Sequence, residues 1–399
     1  MAGSRFAWRM LGIACAAAVL LLGGLVGVFV VRNVRDRLAS AGGDDQHDSG
    51  GSIAPLITDV DVDRDGKSLL LTIATPPSDR FVLMSQNGTV RMEHSYHLAL
   101  SCGVLAPAAD RVFWTAIALS QYQVVGLDVS SGVDKVLMTA DGPLRVIAVR
   151  PDGHTVYVER TQMPRVDPQA AKLTPAGLLP WMLLALDPDT GVSKPLTPML
   201  SRREQGAGGD APWFIGLSGD FTRAFLACGP DIVAWPLGKT SGTIRDAQPL
   251  FRFPFGIRTA EMTGDGSACA ALVSEGPTLE ADPTDYAAGE LRFADGKRTR
   301  TVAKVRGLWA LSLSTDKRRL AWGCRTGKDQ EEAELHIYDI VAQHESTMLQ
   351  TPVAGKLRGV AWLSPGDVVV WGGTQCYRWH IPDREMKLIY DVNAAKATP

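Results

Sequence analysis

Several short patterns in this chain place carboxylates, imidazoles or hydroxyls close enough together to suggest chemistry. Asp61-Val62-Asp63-Arg64-Asp65-Gly66 sets three carboxylates at alternate positions ahead of a glycine, like the opening of a loop that surrounds calcium with hard oxygen donors. Thr72 stands where that loop needs its closing bidentate Glu, and the same phrase recurs elsewhere as a turn, so calcium is not expected. Glu93, His94 and His97 offer two imidazoles and a carboxylate, but a spacing of three splits the rings across opposite sides of a strand. Ser314-Thr315-Asp316-Lys317 matches S-x-x-K, which brings Lys beside Ser only on a helical turn, and here it occupies a hairpin position. Gly238-Lys239-Thr240 ends like a phosphate loop, yet Val233 fills the place of its first Gly, and no G-x-S-x-G elbow occurs. These patterns assign no catalytic residue, no metal ligand and no cofactor.

The elements that must carry these residues repeat. An apolar strand, a polar turn built around Asp and a second apolar strand recur from Val60 to Gly66, from Val146 to Gly153 and from Met262 to Gly266. Second strands are predicted at Ser68 to Ala74, Arg111 to Ala118, His154 to Glu159, Arg223 to Cys228, Ala268 to Ser274, Arg318 to Cys324 and Asp367 to Gly373. Third strands follow at Gln123 to Asp128, Met182 to Asp187 and Glu334 to Asp339, and fourth strands at Val192 to Thr197 and Met386 to Tyr390. A repeat of roughly 40 to 50 residues is that of a four-stranded antiparallel blade. The expected architecture is therefore all-β, a seven-bladed β-propeller over residues 53–393, followed by a short tail, 394–399.

Arg150-Pro151-Asp152-Gly153 ahead of a strand, and the run Leu184 to Gly191, resemble the WD-like repeats of TolB-type propellers, a likeness extending from Ile57 to Val392. The pattern departs in blade two (Ala109-Asp110), blade four (Gly219-Asp220) and the last blade (Pro365-Gly366), and these turns carry no Trp-Asp dipeptide. The resemblance implies a role in cell-envelope assembly. Such folds serve scaffolds, receptors and hydrolases alike, so it implies no reaction.

Two excursions break the repeat, Thr161 to Pro180 and Ser201 to Pro212. Insertions in repeat folds emerge as loops on one face, often the face that meets a partner. Arg165, Lys172, Trp181, Arg202 and Arg203 are the candidate partner contacts there. Trp114, Trp235, Trp309, Trp322, Trp362, Trp371 and Trp379 fall mostly on predicted strands and are expected to fill the space between blades. Asn87-Gly88-Thr89 reads as a hairpin turn before it reads as a glycosylation signal. Cys15 lies in an apolar segment, and Cys102, Cys228, Cys269, Cys324 and Cys376 are unevenly spaced without C-x-x-C, which favours buried thiols over a disulfide framework. A net charge of -2 and a pI near 6.4 give no broad basic surface for nucleic acid.

Ahead of the repeats, after a short tail (1–9), Met10 to Val31 is uncharged and long enough to cross a bilayer as a helix, and Arg32, Arg35 and Arg37 precede the small residues that a signal peptidase would need. An uncleaved anchor is expected, joined to the propeller by a flexible linker over 32–52. Gly23 and Gly27 form a G-x-x-x-G through which two such helices could associate weakly. Basic residues flank both ends of the segment, and a long folded domain after a first apolar segment points to a periplasmic or extracytoplasmic propeller. The functional expectation is a membrane-held scaffold that binds an unidentified protein. Its rivals are a propeller hydrolase or lactonase with a metal in the central channel, recruiting Asp61 and His154, and a ligand-sensing receptor domain.

Overall fold

The computed structural model describes residues 55–63, 65–75, 78–97, 103–118, 121–162, 180–200, 212–274, 289–296, 298–305, 308–314, 316–326, 332–350 and 357–395. The expected membrane helix with Gly23 and Gly27, the linker, and Arg165, Lys172, Arg202 and Arg203 lie outside the described residues. Among the described residues no helix is long and apolar enough to cross a membrane.

Seven four-stranded antiparallel sheets follow one another along the chain. The first is β1 (Leu56–Val62), β2 (Ser68–Ala74), β3 (Ser78–Ser85) and β4 (Val90–His97); the second is β5 (Val104–Leu105), β6 (Arg111–Ala118), β7 (Gln121–Asp128) and β8 (Asp134–Ala140). The third is β9 (Leu144–Val149), β10 (Val156–Thr161), β11 (Trp181–Leu186) and β12 (Ser193–Pro195); the fourth is β13 (Trp213–Leu217), β14 (Arg223–Cys228), β15 (Asp231–Pro236) and β16 (Gln248–Arg252). β17 (Gly256–Met262), β18 (Ala268–Ser274), β19 (Gly289–Asp295) and β20 (Arg298–Val305) make the fifth; β21 (Leu308–Leu313), β22 (Arg319–Thr326), β23 (Glu332–Asp339) and β24 (His344–Gln350) the sixth. The seventh is β25 (Leu357–Ser364), β26 (Asp367–Gly372), β27 (Gln375–His380) and β28 (Glu385–Asp391). The chain is a seven-bladed β-propeller.

Second strands are buried along nearly their whole length instead of on alternate residues. β2 is buried from Ser68 to Ile73, and β26 throughout. Each blade is covered on both faces by its neighbours, so a mid-blade strand has no solvent side and both phases of its pleat are apolar. Seven apolar clusters follow, one for each junction between neighbouring blades. Phe81, Tyr96 and Trp114 pack in the first junction, and Trp181 with Trp235 in the third. Trp114, Trp235, Trp322, Trp362, Trp371 and Trp379 are all buried, as their place on the strands predicts.

The Asp turns tolerate the sequence departures. The hairpin from β1 to β2 places Gly66 at φ +69 with its N–H on the Asp63 carbonyl at 3.0 Å. Ala109, Phe221 and Lys317 adopt the same left-handed conformation in blades two, four and six. In the last two of these, Asp220 accepts from the Ser218 hydroxyl and Asp316 from the Ser314 hydroxyl, each at 2.6 Å, which offsets strain that Gly would avoid. Blade three starts its second strand at Val156, two residues later than predicted: His154 and Thr155 still belong to the turn, where the His154 N–H donates to Asp152 and the Arg150 N–H to the Thr155 carbonyl.

Closure joins blade seven to blade one without a shared strand, since β1 to β4 and β25 to β28 each form a complete sheet. The junction is a cluster of Ile57, Leu69, Leu71 and Ile73 against Leu363, Val369, Trp371 and Val392. The Ile57 N–H reaches the Gly373 carbonyl at 2.8 Å, and Arg378 Nη1 donates to Asn87 Oδ1 at 3.1 Å. A Cβ on Gly66 would stand 1.9 Å from the Leu363 carbonyl oxygen, whereas Gly153, at the same turn position of blade three, has open space around it. Gly66→Ala is therefore expected to cost roughly 3 kcal/mol or more through the forced shift at the closing junction. Gly153→Ala should cost about 1 kcal/mol, the price of a left-handed φ alone. Denaturant unfolding of the two variants checks the difference.

Candidate functional site

Three regions of the ring carry polar chemistry. At the end formed by the first-to-second and third-to-fourth strand hairpins, aspartates hold turns and pin adjacent blades. Asp128 accepts from both hydroxyls and both N–H groups of Ser130 and Ser131, which hold its carboxyl down to about 2, the Ser130 hydroxyl foremost. Asp265 is held well below the usual range chiefly by the ammonium of Lys317, on the next blade, and also accepts from the Thr263 hydroxyl at 2.7 Å. Arg111 Nη1 pairs with Asp189 at 2.9 Å across blades two and three, and Arg319 donates to the Pro365 carbonyl across blades six and seven at 2.5 Å. Ser314 and Lys317 are thus consumed by turn and junction; the Ser314 hydroxyl is buried and accepts the Arg319 N–H at 2.9 Å. Their S-x-x-K spacing makes no nucleophile.

First strands run around the axis: β25 touches β1, β1 touches β5, β5 touches β9, β13 touches β17, and β17 touches β21. Asp61 on β1 and Glu261 on β17 occupy the same position relative to their turns, facing Leu70 and Ala270 across each hairpin. Both Asp61 oxygens accept backbone N–H groups, from Val62 at 3.1 Å and from Leu105 of the next blade at 2.6 Å, so this carboxylate ties blade one to blade two. Desolvation nonetheless raises it to about 7, against the opposing pull of those two bonds. Glu261 is exposed to water, yet desolvation by the protein around it raises it to about 7 as well. His154, the other residue considered for a channel metal, is largely exposed at the hairpin end beside Asp189 at 3.5 Å. The channel reading therefore loses its imidazole, because His154 sits in the turn between β9 and β10 and not on the inner strand.

His94 lies on β4, the outermost strand of blade one, with its ring 6.2 Å from that of Trp114, while Glu93 pairs with Arg80. No metal set forms there among the described residues.

A carboxyl whose folded pKa is raised keeps its proton between about pH 4.5 and 7, where the unfolded chain would release it. Stability falls as pH rises through that window and stays reduced above it. Glu261→Gln removes the effect. Its melting temperature should exceed that of the parent at pH 8, by no more than about 2 °C because solvent screens so exposed a group, and match it near pH 4.5, as measured by thermal unfolding at the two pH values.

At the opposite end lie the second-to-third and fourth-to-first strand connections. Both excursions leave from here, at blade three and its junction with blade four, and their stems meet at Trp181. The Trp181 N–H donates to the Leu200 carbonyl at 3.0 Å and the Leu200 N–H returns to Trp181 at 2.8 Å. The buried indole Nε1–H donates to the Pro212 carbonyl at 2.9 Å. Trp181, expected as a partner contact, is 7% exposed and fastens the two stems together. Trp181→Phe keeps the ring but strands a buried carbonyl, and a loss of about 1–2 kcal/mol is expected in denaturant unfolding.

A third grouping, on one face of blade six, escapes the sequence patterns. Cys324, Glu334 and His336 bring a thiol, a carboxylate and an imidazole within 4.8 Å of one another. Glu334-Leu335-His336 carries the only local signal, two ligand types two residues apart and so on one face of a strand, but its third member comes from the neighbouring strand. Cys228, Cys269, Cys324 and Cys376 are free thiols, three of them buried, as their spacing predicts; Cys15 and Cys102 lie outside the described residues.

No family model matches the chain, and no curated protein matches it. Among solved structures, it is similar to the β-propeller domain of the Trilobed protease from Pyrococcus furiosus, described as having an open velcro topology, at 11% identity and a TM-score of 0.54 over 88% of this chain and 100% of that one. It is also similar to acylaminoacyl peptidase from Pyrococcus horikoshii, at 12% identity and a TM-score of 0.55 over 86% of this chain and 54% of that chain. TolB from Acinetobacter baumannii aligns at 14% identity and a TM-score of 0.45 over 79% of this chain and 68% of that one. At these identities the likeness is one of β-propeller fold.

Proposed function

We propose that this protein is a docking platform: a propeller held at a membrane by the Met10 to Val31 segment, which binds a protein partner at the end of the ring where the long connections emerge. The observation that carries this reading is the asymmetry between the two ends. Tight Asp turns, with their side chains committed to one another, occupy one end. The stems of both long excursions, gathered on Trp181, occupy the other. Loops positioned by a rigid scaffold are where binding residues concentrate.

In this reading Arg165, Lys172, Arg202 and Arg203 are the contacts, and Trp181 sets the stems from which they depart. The apolar segment crosses the bilayer once, Gly23 and Gly27 allow weak pairing of two such helices, and the propeller lies on the extracytoplasmic side. Resemblance to TolB-like propellers supports an envelope role. The peptidase activity named for the Pyrococcus horikoshii protein is that protein's own.

Proximity labelling of the full chain, compared with a variant in which residues 163–179 are replaced by a Gly-Ser linker of equal length, tests the platform. A set of neighbours lost in the variant supports it, and an unchanged set removes this excursion from the binding surface. A reporter fused after Pro399 reads the side of the membrane, with activity expected only from a reporter that matures outside the cytoplasm.

A further inference from the structure

Blade six carries a constellation that neither its turns nor its packing requires. Cys324 on β22 and Glu334 on β23 are directly opposite across the sheet, and His336, two residues beyond Glu334, stands opposite Trp322. All four side chains therefore share one face. Cys324 Sγ and Glu334 Oε2 each lie 3.3 Å from His336 Nε2. On the other side of the ring, Nδ1 is 2.9 Å from Glu345 Oε1, on β24. The Trp322 ring stacks on the imidazole at 5.0 Å with 3° between planes, so the ring is held in orientation from two directions.

His336 thus presents Nδ1 to the Glu345 carboxylate and Nε2 to the Cys324 and Glu334 side chains. Sulfur, nitrogen and carboxylate oxygen lie within 4.8 Å of one another here, and two carboxylates flank the one imidazole. Among the described residues, neither Glu334 nor Glu345 is paired with Lys or Arg; His336 is the partner of both. An ion bound tetrahedrally at about 2.0–2.3 Å from sulfur, nitrogen and oxygen ligands sets neighbouring ligand atoms roughly 3.3–3.6 Å apart. The two separations from His336, each 3.3 Å, agree with that spacing, and the thiol and carboxylate lie within 4.8 Å of each other.

We propose that Cys324, Glu334 and His336 form a binding site for one divalent ion of the zinc type, with Glu345 as the outer carboxylate that fixes the imidazole and a water in the fourth position. A thiol and an imidazole select a borderline metal over calcium or magnesium. A carboxylate on the far nitrogen of a ligating His is the usual support of such a site. On binding, the Cys324 thiol gives its proton to solvent and the sulfur lone pair forms the bond to the metal; no electron is transferred. A nucleophilic Cys-His pair fits less well, because Cys324 is only 7% exposed and Glu334 crowds the nitrogen that would serve as base.

The full chain, titrated with Zn2+ and freed of unbound ion, is expected to retain one zinc per chain and to melt at a higher temperature with it. Replacing zinc by Co2+ should give a thiolate-to-cobalt charge-transfer band that is absent in Cys324→Ser and kept in Cys228→Ser. Glu345→Gln, which leaves the three ligands in place, should weaken zinc binding about 10- to 100-fold. Failure of the parent protein to retain zinc or to show the band would overturn the site, and this outcome does not depend on whether any variant folds. A band of undiminished strength in folded Cys324→Ser would overturn it equally, as would an NMR titration showing His336 as an imidazolium at neutral pH whether or not zinc is present.

Discussion

Closure of the ring is the constraint on which the rest of this structure depends. Every blade is a sheet with two apolar faces, and only a neighbour on each side keeps them from water. Six junctions join blades that are consecutive in sequence, whereas the seventh must bring Ile57 and Leu69 against Leu363 and Trp371 from the far end of the chain. No strand is exchanged across it, so the junction rests on side-chain burial, at about 1.5–3 kcal/mol for each large apolar side chain, with backbone and side-chain bonds that set its register. Gly66 and Gly88 mark how close the approach is: at both positions a Cβ would run into a carbonyl oxygen of blade seven.

A ring closed in this way is a rigid frame with two unlike ends. The hairpin end is made of short turns whose carboxylates are spoken for by hydroxyls, amides and the cations of the adjoining blade, as Asp265 is by Thr263, Ser267 and Lys317. These contacts stiffen the junctions and leave little free chemistry there. The other end receives the long connections, and a buried tryptophan joins two of their stems. Between the ends, desolvation raises the carboxyls of Asp61 and Glu261 on the inner strands, and both oxygens of Asp61 are taken by backbone amides.

Much of the fold was legible in the chain because blade architecture is written locally. The turn phrase, the apolar strands and the spacing of the repeats each follow from a few adjacent residues, and two of the turns that lack Gly, in blades four and six, carry Ser-to-Asp side-chain bonds within the same turn. The second strand of blade three begins two residues after its expected start, since His154 and Thr155 complete the turn closed by the Arg150 N–H on the Thr155 carbonyl. Trp181 was expected among the partner contacts at the first excursion. Its indole instead met a carbonyl thirty-one residues onward, a contact that no local pattern could show.

The sequence by itself determined that the chain builds repeated antiparallel sheet modules, that tryptophans on their strands are buried between them, and that the thiols among the described residues are unpaired and three of the four buried, since composition and short-range periodicity control each of these. Only the tertiary structure decided that the ring closes by packing without a shared strand, that Asp61 binds the backbone of the next blade, and that Cys324 meets Glu334 and His336 on one face. Those outcomes depend on register between strands and on the angle between blades. Neighbours across a sheet or a junction are set by hydrogen-bond register and by burial summed over many residues, which the spacing of residues along a single strand does not encode.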